Sequence, residues 1–183
     1  MIRNSLVRLV PVALLIATAG AGTAQAATDG SLGATSTGLV NINASIAARV
    51  QISGLSDVTI ASVDPTVAES HPQDVCVWSN TAGHKYNIKA TGSGASGAFT
   101  LASGTLPVVN YTVEWNQLVA KTSGTALTAG TALTGQASAA TTPTCASGTK
   151  SASLVVKMDT TNLTNMQAGA TYGGVLTLVV APE

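Results

Sequence analysis

From Val40 to Ile52 the chain alternates without a break. Val40, Ile42, Ala44, Ile46, Ala48, Val50 and Ile52 are apolar, and Asn41, Asn43, Ser45, Arg49 and Gln51 between them are polar, with Ala47 the exception. Period two is the pattern of a strand with one buried and one wet face. On a helix the same residues would scatter around the whole circumference. The run is also too long for one strand of a small domain. At about 3.4 Å per residue it would span roughly 44 Å, whereas strands usually stop by about ten residues. A break at Ala47–Ala48, where the side chains are smallest, leaves two strand segments in tandem. One can belong to the domain's own sheet. The other needs a sheet that need not be its own.

The chain opens as a secretion signal does. Arg3 and Arg8 precede an apolar stretch from Leu9 to Ala21, and Ala24-Gln25-Ala26 fits the small-x-small cleavage rule, so residues 1–26 are expected to be removed. No later stretch is long and apolar enough to span a bilayer as a helix. After cleavage, Arg49, Lys85, Lys89, Lys121, Lys150 and Lys157 stand against eight carboxylates, a net charge of about −2. That balance excludes the phosphate grip of a nucleic-acid-binding protein. Charged residues make up 9% of the chain, far below the ~25% of an ordinary soluble domain, which suits a secreted, closely packed assembly. Cys76 and Cys145 are the two cysteines. In an exported chain a single disulfide is the simplest reading, contributing about 4 kcal/mol on the chain-entropy model.

Residues 27–38 form a small, polar, Gly-rich leader. Beyond Gly54, short strands are expected at Val58–Val63, Val75–Ser79, His84–Thr91, around Phe99 and Leu101, at Val109–Trp115, Ala132–Gln136, Ser153–Met158 and Tyr172–Ala181. Asp64–Asp74, with two prolines and three carboxylates, is expected to be a loop. Asn162–Met166 reads as one helical or 3-10 turn. The last strand is apolar on both faces, which suggests a central or doubly covered position. No segment has a helical period, and turns recur every eight to twelve residues, so the fold class is an all-β sandwich.

The residues that carry chemistry are sparse. Only His71 and His84 can serve as a histidine base. Glu69, His71 and Asp74 could ligate a metal, but no second ligand group supports them and the cluster reads as a solvated loop. Gly92-x-Gly94-x-x-Gly97 has the letters of a dinucleotide fingerprint, yet it lies between strands and opens no helix, so it reads as a turn. Trp78 and Trp115 are candidates either for stacking on sugars or for filling a sandwich core. Asn43-Ala-Ser45, Asn110-Tyr-Thr112 and Asn162-Leu-Thr164 match the glycosylation sequon, as chance readily produces in so Asn-, Ser- and Thr-rich a chain. No metal or cofactor is expected, and the chain is not expected to be an enzyme.

In order along the chain, several phrases resemble the subunits of chaperone–usher pili, most of all archaic Csu-type pilins with spore-coat-U-like domains and colonisation-factor fimbrial subunits. They are the tandem run from Gly38 to Ile52, Cys76-Val-Trp-Ser-Asn80, Tyr86–Gly94 with Gly97–Leu101, Tyr111-Thr-Val-Glu-Trp115, and the closing Ala168-Gly-Ala-Thr-Tyr-Gly-Gly-Val-Leu-Thr-Leu-Val-Val180. The resemblance implies an incomplete immunoglobulin-like β-sandwich that is completed by strand donation. Residues 27–47 would then be the leader and donor strand, with Val40, Ile42, Ala44 and Ile46 as the donated side chains, and residues 48–183 the pilin domain. Leu176, Leu178 and Val180 of the closing strand would border the groove and meet a chaperone. The implied partners are copies of itself or related pilins, a periplasmic chaperone and an outer-membrane usher. The implied role is an extracellular pilus subunit that supports adhesion or biofilm formation. The colonisation-factor subunits tend to interrupt the tandem stretch with Pro, where this chain has Ala47-Ala48. A secreted monomeric β-sandwich that binds carbohydrate through Trp78 and Trp115 is the alternative, and a secreted hydrolase is a third.

Overall fold

A computed structural model describes residues 26–146 and 148–183. The expected secretion signal lies outside them, apart from Ala26. The chain divides into two compact units, Met1–Ser45 and Ile46–Glu183. In the described part of the first, Thr28 and Leu39 exchange two backbone hydrogen bonds of 3.0 and 2.8 Å. Residues 40–45 lie in no helix or strand. No helix among the described residues is long and apolar enough to cross a membrane.

The second unit is all-β and sandwich-like. Its strands are β1 (Val50–Ser53), β2 (Glu69–Ser79), β3 (Lys85–Gly92), β4 (Thr100–Leu101), β5 (Val109–Asn110), β6 (Thr112–Asn116), β7 (Thr125–Ala126), β8 (Ala132–Ala137), β9 (Ala152–Met158) and β10 (Leu176–Pro182), with one short helix, α1 (Thr160–Thr164). They form a five-stranded sheet ordered β1-β2-β9-β6-β7, a three-stranded sheet ordered β10-β3-β8 and a β4-β5 ribbon. The described pairings are antiparallel.

Alternation decides which side chains enter the core. Tyr86, Ile88 and Ala90 of β3 are buried, while Lys85 and Lys89 are exposed. Val109, Tyr111, Val113 and Trp115 share one face and are all buried, packing with Val75, Val77 and Leu154 in one cluster. At Gly92 the chain doubles back so tightly that a Cβ would strike the Ala98 carbonyl, so the Gly92–Gly97 stretch is a turn with no room for a side chain there. Asp159 starts α1 by accepting the Asn162 N–H at 2.7 Å.

Four expectations need correction. Val58–Val63 forms no strand. The supposed loop from Asp64 to Asp74 is half strand, because β2 begins at Glu69 and runs through Pro72. Among the described residues the backbone of that half ladders with β9 alone, since β1 pairs only with Cys76–Ser79. One edge there is open, which is where a strand tolerates a residue without an N–H. His84 belongs to a short 3-10 turn with φ of 53°, its Nδ1 lying 2.7 Å from the Ser79 carbonyl. The closing strand is not central, for among the described residues β10 pairs with β3 only. The doubly covered strand is β9, between β2 and β6 and buried along nearly its whole length.

Two features lock the core. Cys76 and Cys145 are joined by a disulfide across 69 residues of sequence. Free-thiol titration of the unfolded, unreduced protein is expected to find no thiol, and two per chain would contradict this pairing. Trp115 Nε1 donates to the Tyr86 hydroxyl at 3.1 Å, and the rings meet edge to face at 85°. Burial pushes the Tyr86 phenol up to about 12 from 10.0, partly opposed by the hydrogen bond from Trp115. The folded phenol therefore stays neutral where the unfolded one ionises. This stabilisation is fully present below pH 10 and is lost as pH rises towards 12, amounting to about 3 kcal/mol. Denaturant midpoints are expected to fall over that window, and less steeply in Tyr86→Phe.

Candidate functional site

Beside β10 the sandwich is open. An apolar groove of about 610 Å³ is lined by Leu154, Val156 and Met158 of β9, by Leu176 and Leu178 of β10, and by Leu55, Val58 and Ile60 from the stretch after β1. Met166 and Tyr172 also line it, as does Tyr111, whose phenol burial pushes up. It is built by local pattern. Leu154, Val156 and Met158 are alternate residues of one strand, so they present one face. Leu176, Leu178 and Val180 are the half-buried face of β10, while Val175 and Val179 on its other face are 65% and 47% exposed. Leu176 and Leu178 reach the groove, and Val180 packs against the core. Among the described residues β10 has β3 on one side only. Its other edge therefore offers unpaired backbone N–H and C=O groups beside an apolar trough. That combination fits an extended chain with apolar side chains at every second residue.

The chain carries such a segment. Val40, Ile42 and Ile46 are 76%, 89% and 83% exposed, and Ala44 is exposed as well. Regular pairing starts only at Val50. Just before it the Asn80 side chain donates to the Ala47 carbonyl at 2.9 Å and accepts the Arg49 N–H at 2.6 Å.

The remaining candidates do not converge. His71 Nε2 lies 3.2 Å from Glu69 Oε2. The Asp74 carboxylate instead accepts from Ser153 Oγ at 2.6 Å and from the Ala120 N–H at 2.9 Å. Among the described residues no three His, Cys, Asp or Glu side chains come together as a metal site would need. Trp115 is in the core and Trp78 packs against the disulfide, so the two indoles form no shared platform.

No family model matches this chain, and no curated protein matches it. A solved structure described as "Chaperone-tip adhesin complex is vital for synergistic activation of CFA/I fimbriae biogenesis" is similar over 73% of this chain, at 19% identity and a TM-score of 0.45. The chain spans 42% of that chain's length.

Sequence reasoning missed most of the lining. Leu154, Val156 and Met158 read only as one face of a strand. Val58 and Ile60 read as a strand face, Met166 and Tyr172 only as parts of a helical turn and of the closing strand, and Leu55 carried no signal. The one usable signal was the surplus of apolar strand faces over strands to cover them.

Proposed function

We propose that this chain is a structural pilus subunit that polymerises by strand donation. Its sandwich is the immunoglobulin-like type lacking one strand. The segment Val40–Ile46 of one copy fills the groove of the next, with Val40, Ile42, Ala44 and Ile46 turned inward. A periplasmic chaperone holds the groove beforehand, and exchange takes place at an outer-membrane usher, giving an extracellular fibre for adhesion or biofilm formation. We assign the chain no catalysis. The observation that carries this reading is the apolar groove beside the unpaired edge of β10, in a chain whose own alternating segment is exposed. A disulfide agrees with an exported, oxidising destination.

Burial of a Val or Ile side chain is worth about 1.5–3 kcal/mol. Val40, Ile42 and Ile46 together would give roughly 5–9 kcal/mol before ordering costs, and backbone pairing along β10 would add to it. A slow strand-withdrawal step would make the polymer long-lived. The test is a denaturing gel of protein made with its chaperone and usher. Unheated samples are expected to run as a ladder in steps of one mature subunit and to collapse to monomer on boiling. A monomer band alone in unheated samples would overturn the reading.

A further inference from the structure

One groove wall is held in an unusual way. The stretch 55–61 supplies Leu55, Val58 and Ile60 to the groove, yet it belongs to no helix or strand. It is bracketed by two left-handed residues, Gly54 at φ 75° and Ser62 at φ 54°, positions where the chain changes direction. It runs beside the half of β2 that β1 leaves unpaired. Gln73 makes the tie. Its Oε1 accepts the Ser56 N–H at 2.8 Å, and its Nε2 donates to the Ser56 carbonyl at 3.0 Å. A side-chain amide thus reproduces the reciprocal pair that a neighbouring strand's backbone would supply. Gln73 is opposite Leu154 in the β2–β9 register, on the face that lines the groove.

We propose that Gln73 is a positioning residue that pins the stretch 55–61 against β2 and so keeps the groove shaped for an incoming strand. The inference rests on the reading that the groove takes a strand. Without the tie, Leu55, Val58 and Ile60 are free to fold onto Leu176 and Leu178, because closing an apolar trough removes surface from water. A wall fixed in advance spares the incoming strand the cost of reopening and ordering it.

The probe is a synthetic peptide of residues 38–49 added to the full mature chain. Gln73→Ala is expected to weaken its binding by about tenfold or more, the loss of two hydrogen bonds of ordinary strength. Gln73→Glu supplies a readout that a general packing role would not move. The ionised carboxylate can accept the Ser56 N–H but has nothing to donate to the Ser56 carbonyl. Once protonated, the same group offers a donor and an acceptor in the places of the amide. Peptide affinity of Gln73→Glu is therefore expected to climb towards the wild-type value as pH falls from 7 to 4. The wild-type curve corrects for Asp57, Glu69 and His71, which are present in both. Wild-type affinity in Gln73→Ala, or parallel pH curves for Gln73→Glu and wild type, would overturn the proposal. Failure of the peptide to bind wild-type chain would instead overturn the strand-donation reading. In that case amide exchange at Ser56, measured without peptide, decides the wall by itself. Exchange at least tenfold faster in Gln73→Ala supports it, and an unchanged rate overturns it.

Discussion

Ile42→Asp is expected to abolish polymerisation while leaving a folded, soluble subunit. Ile42 is 89% exposed and lies outside the unit Ile46–Glu183 that holds the sandwich. An aspartate there costs the subunit's own fold nothing. In the groove of a neighbouring copy it would sit among Leu and Met side chains, where an unpaired carboxylate costs several kcal/mol, on top of the lost isoleucine burial of about 1.5–3 kcal/mol. Together these offset most of the roughly 5–9 kcal/mol assigned to the donated side chains. Unheated gel ladders should vanish, with circular dichroism and yield of the chaperone-bound subunit unchanged. Loss of folded subunit would mean that Ile42 belongs to an ordinary core strand.

Trp115→Ala is expected to damage the sandwich itself. The indole is 1% exposed, and removing so large a buried side chain typically costs about 3–5 kcal/mol. The change also strips the edge-to-face contact with Tyr86 and the N–H that its hydroxyl accepts, leaving a buried phenol short of a partner. A loss of that size corresponds to a fall of roughly 10–15 °C in Tm. Trp115→Phe keeps the ring contact and loses the hydrogen bond, so it should fall between the two. A shift of only a degree or two in Trp115→Ala would contradict the packing described above. The contrast with Ile42→Asp separates the residues that make the fold from those that would link one fold to the next.

What could be read from the residues, and what could not, divides along one physical line. Alternation reports which face of a segment is apolar, and the alternating apolar residues of Tyr86–Ala90, Val109–Trp115 and Leu154–Met158 are buried. It does not report whether a backbone edge is waiting. Val58 and Ile60 have the pattern of a strand, yet β2 reaches their stretch through the Gln73 side chain, at Ser56, and not through a backbone ladder. The same blindness misplaced β10, whose two apolar faces suggest a central strand. Val175 and Val179 are exposed on one face, and among the described residues the strand's second edge has no partner strand. Pro72 and the carboxylates around it hid the first half of β2, since a proline suits a strand only where one side is open. The groove was least legible of all, because Leu55, Tyr111, Met158 and Leu176 meet there only after the chain has folded.

Strand donation separates the two roles of a subunit, and mixing two variants tests it most directly. An Ile42→Asp chain keeps its groove but cannot donate. A Leu178→Asp chain keeps its donor segment but has a charge placed in the groove, and its fold is checked by circular dichroism. Each variant is purified with a different tag, without the chaperone whose docking the Leu178→Asp charge would also block, and incubated alone or in a mixture. Strand donation predicts no oligomer from either alone and heat-sensitive mixed dimers, one tag of each kind, from the mixture. Absence of mixed dimers from two folded variants, or ladders from either variant alone, would contradict it.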